Sequence, residues 1–114
     1  MTINIFEVVN NALASIEPAI PFAADTFIGS LPDTYLTYFL ISSPPEQSAD
    51  DVETERSYRI QISFWGRTGI AGLPTAIVDA AMIAAGFIPS NFRQLPRDQA
   101  SQHFGLAKDY IYLD

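Results

Sequence analysis

From Glu55 to Gly66, Tyr58, Ile60, Ile62 and Phe64 share one parity of the chain and Ser57, Arg59, Gln61 and Ser63 the other. A period of two with one apolar side marks a strand laid on a core, predicted here over about residues 54–65. Gly66, Gly69 and Gly72 then permit a turn. Residues 73–85 follow with only two polar side chains, Thr75 and Asp79, and read as a helix apolar nearly all round. Pro74 suits its first position and Gly86 its stop. Such a helix needs partners on more than one side. Leu73, Ile77, Ala80, Ala81 and Ala84 can cover the sheet, which would leave Val78, Met82 and Ala85 for close approach of another subunit. That pattern points to a self-associating structural domain.

Phe6, Val9, Leu13 and Ile16 recur at steps of three and four, which predicts an amphipathic helix over residues 3–16 with Thr2 as its cap. Pro18 and Pro21 end it, and residues 17–34 read as an ordered loop with a short extended piece at 26–28. Residues 35–43, rich in aromatic and branched side chains, predict the first main strand, ended by Pro44-Pro45. Glu46, Asp50, Asp51, Glu53 and Glu55 follow with no basic residue among them, so this long hairpin connection belongs in solvent. Residues 87–94, interrupted by Pro89, suit an edge strand. In residues 104–113, Phe104, Leu106, Tyr110 and Tyr112 share a parity broken by Lys108, which predicts a terminal strand. The expected architecture is α+β, in the order α-β-β-α-β-β: a two-layer sandwich with a four-stranded, largely antiparallel sheet and both helices on one face.

At 114 residues the chain fits one domain, residues 1–114, large enough to bury a core without metal or disulfide. Thirteen acidic against six basic residues give a formal charge of -7, which argues against a broad phosphate-binding surface. With no cysteine, thiolate chemistry is excluded and the compartment left open. No positively charged leader precedes the first apolar residues, and no run is long enough to span a bilayer, so a soluble protein acting where it is made is expected.

Candidate chemistry is sparse. His103, the only histidine, has Ser101 and Asp98 nearby, but no strained nucleophile turn such as Gly-x-Ser-x-Gly accompanies them. It reads as a surface histidine in the loop before the last strand. The acids 50–55 lack the glycine and terminal glutamate of a calcium loop. The Gly66–Gly72 glycines lack the Lys-Ser/Thr of a phosphate cradle. Trp65 lies on the polar parity, either covered by an adjoining loop or anchoring a subunit contact. Arg59 and Arg67 read as salt-bridged surface residues or as contacts to a neighbour's acidic loop.

Several segments together resemble the phage and prophage tail-completion proteins of the tail-terminator type, the neck proteins that cap the tail tube where it meets the head. These are Leu31-Pro32-Asp33-Thr34-Tyr35-Leu36-Thr37-Tyr38, Ser48-Ala49-Asp50, Tyr58-Arg59-Ile60-Gln61-Ile62-Ser63-Phe64-Trp65, Ala85-Gly86-Phe87 and Phe92-Arg93-Gln94-Leu95-Pro96-Arg97-Asp98 followed by residues 103–113. The resemblance implies a virion structural protein without catalysis or cofactor. It would form a sixfold ring at the head-proximal end of the tail tube, stop tail growth and provide the head-tail joining surface. Its partners would be copies of itself, the tail tube protein and the head-tail connector. DNA would be only passing cargo in an acidic lumen, with no membrane partner, and assembly would occur in the bacterial cytoplasm. Contact residues would then be Trp65, Arg59, Arg67, Val78, Met82, Ala85 and the acids Glu46, Asp50, Asp51, Glu53 and Glu55. One rival is a small dimeric ligand-binding or enzymatic module with Tyr35, Tyr38, Phe64 and Tyr110 lining a pocket, although no polar cluster is evident there. A host-directed accessory protein is another.

Overall fold

The computed structural model describes residues 4–17, 19–24, 29–42 and 57–113. Helix α1 spans Ile5–Ala14 and turns Ile5, Val9, Ala12 and Leu13 inward at steps of three and four. Its cap is Asn4, whose side chain accepts the N–H of Glu7 at 3.3 Å. Thr2, the expected cap, lies outside the described residues. Asn4 takes the role because it stands immediately before the first buried position, where the free helix N–H groups point.

Among the described residues the sheet has five strands, not four. Strand β1, Phe22–Ala24, runs parallel to β2, Thr34–Ser42, with Phe22 beside Leu36 and Ala24 beside Tyr38. The extended piece expected at 26–28 falls outside the described residues. Three residues are too few to display an alternation, so β1 leaves no periodic trace. Strand β3, Ser57–Gly66, pairs antiparallel with β2, and its other side pairs with β5, His103–Leu113. Strand β4, Phe87–Asp98, pairs with β5 and closes the order β1-β2-β3-β5-β4. It runs past the expected end at residue 94 because Pro89 and Pro96, neither with an N–H to donate, are tolerated on an edge strand. The acidic connection 43–56 lies outside the described residues.

A 3-10 turn at Ile70–Gly72 leads into helix α2, Thr75–Ala84. Pro74 occupies the cap position, one residue before the helix, not its first turn. Gly86, at φ 103°, releases the chain into β4, where a side chain would also meet Tyr112 at 3.1 Å. Both helices lie on one sheet face. The core between the layers joins Val9 and Leu13 to Leu36, Tyr38, Ile60, Ile62, Phe64, Val78, Met82 and Tyr110.

The rotation of α2 corrects the sequence expectation. Val78 and Met82, expected to face another subunit, are 0% exposed within this protomer, whereas Ile77 is 37% and Ile83 55% exposed. Ala80 and Ala84 are exposed as well, and Ala85 is half-buried. Asp79 explains the turn of the helix: its carboxylate bonds Lys108 and Tyr110 on the core-facing side of β5, which swings Val78 and Met82 onto the sheet. Met82→Ala is expected to cost about 2–5 kcal/mol in urea unfolding, the usual cost of a core cavity. Ile83→Ala is expected to change stability by about 0.5 kcal/mol or less, as a surface substitution.

Candidate functional site

Three places gather side chains with chemical or binding potential. The first sits where α2 crosses β5. Lys108 reaches inward from β5 and donates to both carboxylate oxygens of Asp79, at 2.6 and 2.8 Å. The Tyr110 hydroxyl donates to the same carboxylate. The Lys108 and Asp79 side chains are 14% and 29% exposed, so the pair is part-buried and water screens it in part. Burial pushes the Tyr110 phenol far above its ordinary value of 10.0, and the hydrogen bond to Asp79 and that group's negative charge push the same way. The phenol is therefore a fixed donor at neutral pH. Beside the cluster, Thr75, Phe92, Leu106 and Lys108 line an open pocket of about 170 Å³.

The second is the sheet face away from the helices. Trp65 is half-buried and stacks on Tyr35, the residue opposite it on β2, at 6.4 Å between ring centres. Gly105, opposite Trp65 on β5, leaves room for the indole, since a β-carbon there would stand 2.6 Å from Trp65 Cζ3. Trp65 thus packs across its own sheet. Arg59 pairs with Asp109 at 3.3 Å, and Arg67 pairs with Asp33 at 2.7 Å while donating to the Ser101 carbonyl at 3.2 Å. Both arginines are held by acids of their own chain. Arg93 crosses from β4 to donate to Gln61 Oε1 at 2.7 Å.

His103 is not at the surface. It is 0% exposed, packs edge-on against Tyr35 at 5.0 Å, and places Nε2 2.7 Å from the Pro32 carbonyl. A carbonyl oxygen only accepts, so Nε2 carries the proton and Nδ1 is left bare. Neither Nδ1 nor the buried Ser101 Oγ has a hydrogen-bond partner among the described residues. Asp98 instead accepts the backbone N–H groups of Ala100 and Ser101, shaping the turn into β5. Asp98, Ser101 and His103 are therefore close in space but form no nucleophile-base relay. The sequence pattern places the histidine in a loop because β5 begins one position earlier than its apolar alternation does.

The third is a groove of about 320 Å³ between the helices, lined by Val8, Asn11, Ala12 and Ser15 of α1 and by Ala81, Ala84 and Ala85 of α2. Of the residues expected to make contacts, only Ala85 borders it. Glu46, Asp50, Asp51, Glu53 and Glu55 lie outside the described residues. The aromatics once considered as a pocket lining do not enclose one: Tyr38, Phe64 and Tyr110 are packed into the core and Tyr35 lies on the opposite sheet face. Among the described residues no group of three or more side chains could hold a metal ion, and no helix is long and apolar enough to cross a membrane.

No protein-family model matches the sequence, and no curated protein matches it significantly.

The Asp79 cluster was missed in the sequence, yet each member left a mark. Asp79 is the one charge in an apolar helix, and Lys108 is the one charge on an apolar strand parity. Two isolated charges of opposite sign on faces destined for one core are natural partners. Asp79→Ala, which leaves the Lys108 ammonium without its counter-charge, is expected to cost about 3 kcal/mol. The triple variant Asp79→Leu, Lys108→Met and Tyr110→Phe, which removes both charges and the phenol that donates to Asp79, should recover most of that loss in the same unfolding experiment. Because the folded-state pKa of Tyr110 lies above the unfolded value of 10.0, its stabilising effect is complete below that pH and is lost as pH rises beyond it. In alkaline unfolding series, Tyr110→Phe should flatten the decline above pH 10 by up to about 1.4 kcal/mol per pH unit.

Proposed function

We propose that this chain is a self-assembling structural subunit, and that its setting is the one its sequence resembles: a ring closing the head-proximal end of a phage tail tube. The observation that carries self-assembly is the outward face of α2. Ala76, Ile77, Ala80, Ile83 and Ala84 are all exposed, and no polar side chain stands among them. Leaving such a face in water is unfavourable by roughly 25 cal/mol for each Å² of apolar surface. Beside it, the alanine-lined groove between α1 and α2 offers the close approach that an incoming helix requires. The outward face is therefore the subunit contact in this reading, in place of Val78 and Met82.

In this setting assembly itself is the activity, with no catalysis, no cofactor and no membrane. The tail tube protein and the connector would meet opposite ends of the ring. The charge of -7 per copy would line the lumen with negative potential and let DNA pass without adhering.

One observation favours the rival reading of a small ligand-binding module. The Asp79–Lys108–Tyr110 cluster supplies the polar group that the sequence seemed to lack, next to the pocket of Thr75 and Phe92. Against it, the Lys108 charge is already neutralised by Asp79, so the pocket holds no free charge to recognise a ligand.

Sedimentation velocity separates the two. The wild-type protein is expected to form a discrete multimer, alone or with tail tube protein added. Ile77→Asp with Ile83→Asp should leave a folded monomer by circular dichroism and shift that multimer to monomer. A wild-type chain that stays monomeric at high concentration with the tube protein present would overturn the reading.

A further inference from the structure

We propose that strand β4 is an acceptor edge, onto which a second copy of the chain adds its acidic segment 46–55 as a further strand. The inference rests on the self-assembly reading and specifies a second surface for it.

β4 is a 12-residue strand at the end of the sheet order and, among the described residues, is paired on one side only, with β5. An unpaired edge is a template for strand addition unless it is blunted by prolines, charges or brevity. Pro89 and Pro96 stand on this edge, and its pairing with β5 shifts register between Pro89 and Phe92 and between Leu95 and Asp98, but Phe92 to Leu95 pair regularly and keep every backbone N–H. The strand also exposes Phe92 at 69% and Ile88 at 52%. Large exposed apolar side chains are what an edge protected only against aggregation avoids.

Charge selects the occupant. Of the basic residues described, Arg59, Arg67 and Lys108 each pair with a carboxylate of the same chain. Arg93 and Arg97, both exposed and both on β4, do not: Arg93 donates to the neutral Gln61, and Arg97 donates to the Gln102 carbonyl at 3.4 Å and lies over the Phe104 ring. In a chain of charge -7, two cations without acids on one open edge call for an acidic partner. Segment 46–55 carries five acids and no base. Its spacing also fits: Asp51, Glu53 and Glu55 alternate, so an extended segment puts them on one face. The register shift between Leu95 and Asp98 separates Arg93 from Arg97, so the two arginines meet the acids of the segment without one fixed four-residue register.

The test uses a dye-labelled peptide of residues 44–56 titrated with the full chain and followed by anisotropy. The expected result is saturable binding that weakens about tenfold when Asp51→Asn, Glu53→Gln and Glu55→Gln are introduced in the peptide, and that falls with added salt. Arg93→Glu with Arg97→Glu in the protein should weaken it equally. A peptide carrying Asp51→Arg and Glu55→Arg should restore binding to that variant, and amides 90–95 should gain hydrogen-exchange protection. Equal binding of acidic and neutral peptides, or none, would overturn the proposal without any protein variant being needed. If the wild type still forms its multimer in that case, only the strand assignment falls. If the peptide binds but the protein stays monomeric, the self-assembly reading falls and the acceptor edge stands.

Discussion

The contact between Asp79 and Lys108 decides how this molecule presents itself. It is a pairing of single charges, one on an otherwise apolar helix and one on an otherwise apolar strand face, part-buried at the margin of the core where each is the other's counter-charge. Once they meet, the azimuth of α2 is fixed. Val78, next to Asp79, and Met82, one turn on, are pressed onto the sheet, and Ile77, Ala80, Ile83 and Ala84 are left outside. A purely apolar contact would specify this rotation weakly, because alanines and branched residues occur on every side of the helix. The part-buried pair supplies the directional term that hydrophobic burial lacks.

The same contact explains where the sequence was readable. The alternation in β3 located the central strand and its core face, Tyr58 through Phe64, because a half-covered strand writes its orientation directly into its parity. β2, β5 and both helices were also visible as elements. The rotation of α2 was not, since a helix apolar nearly all round has almost no periodic signal to read. β1 is too short for one, and its place is set by pairing with Leu36 to Tyr38, a long-range fact. His103 escaped because its burial comes from Pro32 and Tyr35, some seventy positions away in the chain. Arg59 and Arg67 could be given acids in general but not Asp109 and Asp33 in particular.

The two sheet faces divide the labour. The helix-covered face holds the apolar core and the part-buried ion pair. The other holds a lattice of shorter-range devices: Trp65 seated on Gly105 and stacked on Tyr35, Arg59 on Asp109, and Arg93 reaching over to Gln61. This lattice lets Gln61, Ser63 and Asp109 be largely covered without a second layer of helices. Among the described residues Arg59 and Arg67 are paired with acids, whereas Arg93 and Arg97 contact only neutral groups.

An assembly built on β4 and segment 46–55 has a geometric consequence. Donor and acceptor are unlike surfaces, so each copy gives one strand and receives one, and the contact is head-to-tail. Strand addition alone fixes hydrogen-bond register but leaves the angle between neighbouring sheets soft, because sheet twist varies by many degrees between pairs. A head-to-tail contact with a soft angle gives open filaments as readily as rings. The apolar face of α2 supplies the missing constraint in the proposed ring: a second, non-directional contact on the same neighbour fixes that angle, and closure follows when the rotation divides a full turn. The two surfaces are therefore not alternatives. In the proposed assembly the strand edge would select the neighbour and the helix face would set the curvature.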